Sequence, residues 1–546
     1  MSAVSKTTAS AAPLLAEPAG HAQVERKQKR NQPRFLTLPF RARDDRGESF
    51  TSLSTRAPHL PNHRSLAPNV PIAILGVPFD NVTTSETITL IERMIASRQP
   101  HYLVTANVDF IVQARADVEL RRILLDAHLV LCDGTPLLWA SRLLGNPLPE
   151  RVAGSDLVPL LIKVAAEKQY RLFFLGATPD SASQAVARLQ AQFPQLIVAG
   201  HYSPPFNKLL EMEHDEIKRR ISEAKPDLLL VSFGCPKQEK WIAMHYRSLG
   251  VPVAVGVGAT IDFLAGHVRR APLWMQRSGT EWVFRVAQEP RRLARRYLKD
   301  LWGFGWGILA QSWQLQLRSL KAPALSTSSN WELTGLPIQT LRMPARLDLA
   351  AVRNDSAFVA QLVAEPRHCL LEMACVEFID STGVGFLIHL QKKLNAAGRE
   401  LVLVAPGPIV QRALALMRLK DHFASVPDLA AAQQLIQARV REKSVAVTSG
   451  TGTAGNPVVW QGEITAANAE GVWSLTRSCL NSTGLDVVID LSAVRFIDST
   501  GLGLMMRAKK LAQREGKRVV FTGLQPAVRN VLHLARLEEF LLGRPE

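Results

Sequence analysis

Polar side chains able to carry catalysis follow two apolar segments in the first half of the chain. The segment "TANVDF" contains Thr105, Asn107 and Asp109. If it is extended, alternating side chains share one face, so these three groups point the same way. The segment "CDGTP" places Asp133 before Gly134, and a carboxylate there acts as a general base when it is held near a sugar hydroxyl. For each residue alone a turn-forming role is the stronger explanation, but convergence at adjacent strand ends favours a site.

Three further segments carry groups suited to a phosphate-bearing ligand. Arg151 in "ERVAGSDL" is the residue type that clamps a diphosphate leaving group, although a lone arginine is more often a surface charge. Gln238 and Glu239 in "SFGCPKQEKWI" follow another apolar run and begin a predicted helix. Gly256 and Gly258 in "GVGATIDFLAG" allow the backbone to approach a flat base or a ribose closely.

The sequence contains no Asp-x-Asp motif, which nucleotide-sugar enzymes often use to hold a divalent cation on the diphosphate. We therefore expect no metal and no other cofactor, with arginine side chains neutralising the diphosphate. The formal net charge of +17 favours an anionic partner, whether nucleic acid, membrane or phosphate-bearing substrate. Nucleic acid is the weakest of these, because no nucleic-acid-binding motif is evident.

A basic, tryptophan-rich segment covers residues 267–321. Arginines crowd its first part, and "LWGFGWGILAQSW" follows. Each Lys or Arg near an anionic leaflet contributes about 1 kcal/mol, and Trp prefers the interface between lipid and water. The segment predicts docking to the inner face of the cell membrane.

The polar groups must be positioned by alternating strands and helices. "HYLVTANVDF", "AHLVLCDG", "YRLFFLGA", "LIVAGHY", "DLLLVSFG" and "VPVAVGVGA" are continuously apolar, as buried parallel strands are. Helical patterns such as "DSASQAVARLQAQF" separate them, which predicts an α/β fold with a doubly wound, Rossmann-like sheet. Ligands of such sheets bind beyond the carboxyl ends of the strands, where the polar groups lie.

Composition divides the chain and indicates where it resides. The five cysteines are scattered without a CxxC pair, which favours a reducing cytoplasm. We identify no signal peptide and no apolar run long enough to span a bilayer. The first predicted parts are a disordered tail (1–68), an α/β core (69–266) and a basic helical appendage (267–321). A small α/β domain (331–440), a linker (441–455) and a second small α/β domain (456–546) follow.

The two small domains share a plan and a motif. The residues FIDSTG recur unchanged at Phe378–Gly383 and Phe496–Gly501. Each copy follows a strand and opens a helix, so the second half of the chain is a tandem duplication.

The stretch from about Ile72 to Phe304 resembles the WecG/TagA/CpsF family of bacterial glycosyltransferases. The resemblance rests on "TANVDF", "DGTPLLWASRLLG", "ERVAGSDL", "FLGATP", "FGCPKQEKW", "GVGATIDFLAG" and "RAPLWMQRSGTEWVFRVAQEPRRLARRYLKD". It implies an inverting, metal-independent enzyme that moves a hexose-type sugar from a UDP donor to a polyprenyl-diphosphate-linked sugar in surface or exopolysaccharide synthesis. UDP-N-acetylmannosamine, its uronic acid and UDP-glucose all remain open as donors.

The resemblance also assigns roles to residues. It implies that Asp133 is the general base, with Thr105, Asn107 and Arg151 as the other active-site groups. It further implies that the basic appendage docks on the membrane and closes the site over the diphosphate. The expected substrate-binding residues are Asp109, Gly134, Gln238, Glu239, Gly256, Gly258, Arg291 and Arg295.

The two repeats resemble STAS domains, the fold of anti-sigma-factor antagonists. In that family the first Ser of "DSTG" is a phosphorylation site, which corresponds to Ser381 and Ser499. A phosphate there would meet free N–H groups at the helix start and would also add charge to a docking face. The implied partner is an anti-sigma-factor-like protein or a kinase. The alternative is that DSTG only caps a helix.

Two functions from different classes are consistent with these features. One is a membrane-surface glycosyltransferase with STAS domains for regulation or partner docking. The other is a STAS-based signalling scaffold whose transferase fold is inactive. The presence of Thr105, Asn107, Asp133 and Arg151 disfavours the scaffold.

Overall fold

The computed structural model describes residues 70–268, 271–278, 280–288, 290–316, 338–354, 367–444, 458–482 and 487–542. These residues all belong to one compact unit, Ser65–Glu546. The tail predicted over residues 1–68 lies outside them, as does most of the linker predicted over residues 441–455.

The first domain, residues 70–268, is built on a parallel sheet. A short antiparallel hairpin of β1 (Ile72–Ile74) and β2 (Val77–Phe79) precedes it. Six strands then pair in parallel in the order β4-β3-β8-β7-β5-β6. They are β3 (His101–Ala106), β4 (Leu129–Cys132), β5 (Leu172–Gly176), β6 (Val198–Tyr202), β7 (Leu228–Ser232) and β8 (Val253–Gly256).

Helices connect these strands and cover both faces of the sheet. They are α1 (Thr84–Ser97), α2 (Val108–Ala114), α3 (Val118–Asp126), α4 (Thr135–Leu143), α5 (Gly154–Lys168), α6 (Pro179–Gln192), α7 (His214–Ala224), α8 (Lys237–His245) and α9 (Thr260–Ala265). Alternate residues of one strand enter different cores: Leu229 and Val231 join one apolar cluster, and Leu228 and Leu230 join another. Coverage on both faces explains why the strands are continuously apolar.

The predicted strands are all present, but one differs in burial. The segment "LIVAGHY" was expected to be a buried strand, and that expectation is wrong for β6, most of whose residues are only partly buried. Strand β6 lies at one edge of the sheet, paired on one side with β5, whereas β4 at the opposite edge is buried because β2 packs beside it.

The appendage is helical and two-faced. It contains α10 (Leu273–Ser278), α11 (Glu281–Gln288) and α12 (Pro290–Gln316). Along α12, Phe304, Ile308, Gln311 and Leu315 are buried, while Trp302, Trp306, Leu309 and Trp313 are 60–80% exposed. Both sets recur at helical spacing, so one face packs on the protein and the other carries an apolar stripe. Among the described residues no helix combines the length and apolar character that crossing a bilayer requires.

The first repeat, residues 338–354 and 367–444, is a small α/β domain. Strands β9 (Ile338–Arg342), β11 (His368–Glu372), β13 (Leu401–Val404) and β14 (Ala424–Val426) form a parallel sheet, and β10 (Arg346–Leu347) pairs with β12 (Phe378–Ile379). The helices are α13 (Leu349–Asn354), α14 (Ser381–Ala396), α15 (Pro408–Leu416) and α16 (Leu429–Ser444).

The second repeat, residues 458–482 and 487–542, has the same plan with a more regular central strand. Strands β15 (Val458–Ile464), β16 (Val487–Ile497) and β17 (Val519–Thr522) are parallel. The helices are α17 (Ala469–Ser482), α18 (Ser499–Arg514), α19 (Pro526–Leu534) and α20 (Glu538–Leu542). The strand that leads into FIDSTG is continuous here, whereas β11 and β12 are separate in the first repeat.

Candidate active site

The ends of β3 and β4 bring the first group of predicted residues together. The Thr105 hydroxyl donates to the Gly256 carbonyl at 3.3 Å, which ties β3 to β8. The Asp133 N–H donates to the Ala106 carbonyl at 2.9 Å, so Asp133 lies directly beside the end of β3. The Asp133 carboxylate accepts from the Gly154 N–H at 3.4 Å, at the first turn of α5. The positive end of a helix dipole favours an ionised carboxylate, which is the form that a general base needs.

The prediction that Thr105, Asn107 and Asp109 share the face of one strand is wrong. Strand β3 ends at Ala106, and Asn107 caps α2 by accepting from the Asp109 N–H at 3.0 Å. Asparagine is a favoured N-cap, and this preference ends the extended segment at Ala106, three residues before Asp109. Asp109 therefore lies in the first turn of α2, where its carboxylate accepts from the Gln113 amide at 2.6 Å.

Gly134 and Gly256 stand beside these groups for different reasons. A β-carbon at Gly134 would meet Asn107 at an ordinary 3.8 Å, so Gly134 marks the neighbourhood of Asn107 without being sterically required. A β-carbon at Gly256 would lie 2.8 Å from the Gln238 amide nitrogen and 3.0 Å from a Glu239 oxygen. Glycine at 256 is thus needed for α8 to approach β8.

The Gln238–Glu239 pair is buried at the start of α8. The Gln238 amide donates to Glu239 at 2.7 Å, and its carbonyl oxygen accepts from the Gly234 and Gly258 N–H groups at 3.2 Å each. Gly258 itself adopts a left-handed φ of 53°. Burial raises the pKa of Glu239 to about 7, the Gln238 hydrogen bond opposes that rise, and nearby Asp109 adds to it. With that pKa, Glu239 is protonated in part of the molecules at neutral pH.

Arg151 is held between two carboxylates. It donates to Glu281 at 3.0 Å and to Asp156 at 2.7 Å. Burial lowers the pKa of Arg151, but the Glu281 hydrogen bond and the charges of Asp156 and Asp133 outweigh burial and raise it. Because Glu281 begins α11, this ion pair fastens the appendage to the edge of the site. Sequence reasoning identified Arg151 but missed Glu281 and Asp156; the motif "GTEWVF" was the signal available for Glu281.

A lysine on α8 joins the site to a neighbouring helix. The Lys240 ammonium lies 2.7 Å from Asp117 and 2.9 Å from Glu119. Asp117 caps α3, and Glu119 lies in its first turn. Lys240 follows Glu239 directly, so this ion-pair group connects the Gln238–Glu239 pair to α3. None of its members was predicted from the sequence.

The side chains of Arg291 and Arg295 lie outside the described part of the chain, although their positions on α12 are defined. Within the described ranges no group of three or more His, Cys, Asp or Glu side chains is arranged to hold a metal ion.

The two DSTG turns have the same local structure. Asp380 and Asp498 cap α14 and α18, each accepting from the N–H groups of the Thr and Gly that follow. The helix-start N–H groups expected to receive a phosphate are therefore already used by the motif's own aspartate. Ser381 is 1% exposed and Ser499 is 6% exposed. Ser381 accepts from Gln311 at 2.8 Å, and the Ser499 hydroxyl donates to Glu119 at 2.7 Å. The serines are not the caps; both contact residues outside their own repeats.

Comparisons with known proteins match three regions of the chain. Residues 72–318 match the model of the glycosyl transferase WecG/TagA/CpsF family. Residues 335–432 match the STAS domain model, and residues 450–543 match a second STAS model described as Mlab, STAS domain.

Curated relatives match the first of these regions. N-acetylglucosaminyldiphosphoundecaprenol N-acetyl-beta-D-mannosaminyltransferases from Staphylococcus aureus strains MW2 and NCTC 8325 / PS 47 are each 30% identical over 226 residues. The match covers 41% of this chain and 87% of each relative. A crystal structure of a candidate anti-sigma factor antagonist from Thermotoga maritima is 23% identical over 18% of this chain and 88% of that one, with a TM-score of 0.17, too low to carry a structural argument.

Proposed function

Because the chain belongs to the WecG/TagA/CpsF family of glycosyl transferases and carries two STAS domains, we propose that it transfers a hexose-type sugar from a UDP donor to a polyprenyl-diphosphate-linked sugar. The proposal rests on the proximity of Thr105, Asp133 and the Gln238–Glu239 pair at the carboxyl ends of the parallel strands. Ligands of open α/β sheets bind beyond these strand ends.

The names of the relatives support the choice of acceptor. Their name describes transfer of an N-acetylmannosaminyl group to N-acetylglucosaminyldiphosphoundecaprenol. We take the same class of acceptor, a sugar on a polyprenyl diphosphate, as the substrate of this chain. N-acetylmannosamine is the first donor sugar to test, ahead of its uronic acid and glucose.

The proposed reaction is a single inverting displacement. The acceptor hydroxyl oxygen bonds to the donor anomeric carbon while the bond from that carbon to the UDP oxygen breaks. Asp133 takes the hydroxyl proton, and the N-terminus of α5 stabilises the ionised carboxylate beforehand. Thr105 and Asn107 orient the substrates at the end of β3.

Arg151 is proposed to neutralise the charge that develops on the leaving UDP. Its two carboxylate partners together outweigh its charge in the structure, so the diphosphate must displace at least one of them. Glu281 is the candidate, because it lies on the appendage and its release would couple substrate binding to movement of α11. We propose that no divalent cation takes part, since arginines supply the positive charge.

The apolar stripe of α12 supports a membrane-surface location at the inner face of the cytoplasmic membrane. Trp302, Trp306 and Trp313 project from one side of the helix, each more than 70% exposed. Tryptophan prefers the lipid interface, and an exposed apolar patch of this kind marks an interaction surface. Since the opposite face of α12 is buried, substituting the three tryptophans tests the membrane contact better than deleting the helix.

The direct test of sugar transfer offers purified full-length chain a panel of UDP-sugars and a polyprenyl-diphosphate-N-acetylglucosamine acceptor, and measures the lipid product by mass spectrometry. We expect one donor to give a product one sugar heavier, with or without EDTA. Absence of product with every donor would favour the inactive scaffold. Product that EDTA abolishes and magnesium restores would remove the metal-independent mechanism.

The membrane contact is tested by co-sedimentation with vesicles that contain anionic lipid. Alanine at Trp302, Trp306 and Trp313 should release the protein, whereas Leu534→Ala, which removes an exposed apolar side chain from the second STAS domain, should not. Binding of the wild-type protein to the vesicles should weaken at high salt, because salt screens the attraction between basic residues and anionic lipid. Undiminished binding of the triple variant would place the anchor elsewhere.

A further inference from the structure

Helix α3 of the transferase domain contacts both STAS domains, and we propose that it is an internal docking helix whose partners are the two STAS domains of the same chain. The second DSTG turn is the contact that added negative charge would release. This inference concerns the contacts between domains, so its test does not depend on the sugar-transfer proposal.

The N-terminal half of α3 binds the second STAS domain through charged groups. Glu119 accepts from both the backbone N–H and the hydroxyl of Ser499, each at 2.7 Å. One turn further on, Arg122 forms two hydrogen bonds with Glu463, at 2.9 and 3.3 Å. Its guanidinium also lies 3.6 Å from the ring centre of Phe496, the first residue of the second FIDSTG. Glu119 and Arg122 of α3 thus contact the second FIDSTG motif, and Arg122 also contacts the neighbouring strand β15 through Glu463.

The first STAS domain binds the C-terminal end of α3 and one side chain nearer its start. The Lys392 ammonium on α14 donates to the carbonyls of Ala127 and His128, just beyond the last residue of α3. A cation at a helix C-terminus is favourable because it faces the negative end of the helix dipole. Arg121 donates to the Arg418 carbonyl at 3.2 Å, and Leu125 belongs to the apolar cluster of the first STAS domain. The second STAS domain therefore contacts the start of α3, and the first STAS domain contacts its C-terminal end.

The docking helix is also tied to the proposed active site. Asp117 and Glu119 bind Lys240, which lies on α8 next to Glu239. Glu119 is thus shared: one carboxylate faces the α8 lysine and the second DSTG turn at once. A change at Ser499 reaches the helix that carries Gln238 and Glu239 through a single side chain.

The chemistry at Ser499 makes this contact sensitive to charge. Its hydroxyl points at a carboxylate, and burial together with Glu119 raises the pKa of the adjacent Asp498 to about 6. A third negative group beside Glu119 and Asp498 would be repelled by both in a partly desolvated interface. Lys240 offsets part of this charge but already serves Asp117 and Glu119.

Hydrogen exchange measured by mass spectrometry on the full chain tests the inference. Ser499→Asp should raise the exchange of peptides covering α3 and the start of α18 by about tenfold or more, as a like-charge repulsion of this kind opens the contact locally. The matched control is Ser474→Asp, which places the same charge on the exposed side of α17 in the same domain. It should leave both peptides unchanged.

A second substitution separates repulsion from misfolding. Adding Glu119→Gln to Ser499→Asp removes one of the repelling charges and should restore protection of α3. If protection of α3 is unchanged in Ser499→Asp, or is lost and not restored by Glu119→Gln, release by charge at Ser499 is contradicted.

If Ser499→Asp also raises hydrogen exchange in β16, the domain has unfolded. The ion pair of Arg122 with Glu463 then provides a separate test of whether α3 docks on the second STAS domain. Arg122→Glu and Glu463→Arg should each loosen α3, and the two together should restore it, because the exchanged charges attract again. Equal exchange in the wild type and in both single variants would mean that α3 does not dock the second STAS domain in solution.

Discussion

The two DSTG turns share a sequence and a local structure but dock by different chemistry. In both, the aspartate caps a helix and the serine is buried against residues outside its own repeat. Ser381 meets the neutral amide of Gln311, which also bonds to Ala73 and Leu75 of the β1 region. Ser499 instead meets the carboxylate of Glu119. A repeated motif therefore fixes how its own helix starts, while the opposing surface decides what the serine can tolerate.

The phenylalanines of the two motifs show the same contrast. Phe378 lies under Arg346 of its own domain, at 4.3 Å, whereas Phe496 lies under Arg122 of the transferase domain, at 3.6 Å. In the first motif, the phenylalanine ring contacts an arginine of its own domain, and the motif docks through close apolar packing. In the second motif, the phenylalanine ring itself contacts the transferase domain. We expect the first contact to depend on shape and the second on charge.

A charge buried in the first DSTG turn should lower the stability of the protein most. Ser381→Asp places a carboxylate against Gln311, which is fully buried and already makes three hydrogen bonds. A buried charge without a partner costs about 3–5 kcal/mol, so the urea midpoint should fall sharply. The control Ser425→Asp adds the same charge at an exposed position of the same domain. A Ser381→Asp midpoint equal to that control would contradict close burial of the first turn.

Glycines at equivalent positions of the two helices should respond with opposite sign. A β-carbon at Gly385 would lie 2.1 Å from the Pro71 carbonyl oxygen, whereas at Gly503 the nearest atom would be the Leu210 Cδ2, at 4.0 Å. Gly385→Ala should therefore destabilise by about 1–3 kcal/mol through overpacking. Gly503→Ala should be neutral or stabilising by up to about 1 kcal/mol, because alanine is the better helix former. Equal free energies of unfolding for the two variants would mean that the two helices dock alike.

The two DSTG turns should make similar, smaller contributions to the pH dependence of stability. Burial raises the pKa of Asp380 and of Asp498 to about 6, above the unfolded value of about 3.9. The folded state then binds protons more readily, so stability rises as pH falls through 6 and the gain is complete below about pH 4. Between pH 7 and pH 5 each turn should gain on the order of 1 kcal/mol.

Asparagine caps a helix as well as aspartate but carries no charge, so it isolates this contribution. Asp380→Asn and Asp498→Asn should each flatten the pH dependence of the urea midpoint. Asp428→Asn, at an exposed capping residue of α16, is the matched control. An unchanged pH profile in both test variants would show that these carboxyl groups are not the source of the dependence.

Much of the fold could be predicted from the sequence because buried parallel strands leave a continuous apolar signal. The six strands of the large sheet and the tandem repeat were recognisable for that reason. The edge position of β6 was not, since pairing order depends on contacts between distant segments. The end of β3 at Ala106 was also missed, because the Asn107 cap overrides the apolar pattern locally.

The candidate site was predictable where residues follow strands and unpredictable where they meet across the fold. Asp133 and Thr105 were found from their place after apolar runs. The partners of Arg151 were not, because Glu281 lies far along the chain on the appendage. Likewise nothing in FIDSTG indicates that Glu119 and Gln311 stand opposite the two serines, since docking surfaces are set by tertiary structure.

The proposed sugar-transfer site lies at the carboxyl ends of β3 and β4, around Asp133. The most direct measurement is the rate of lipid-product formation by the full chain and by Asp133→Asn, with Asp215→Asn, an exposed substitution on α7, as the control. Removing a general base should lower the rate by about 10²-fold or more, while the control retains wild-type turnover and all three proteins show the same urea midpoint. Near-normal transfer by Asp133→Asn would contradict the role of Asp133 as the general base.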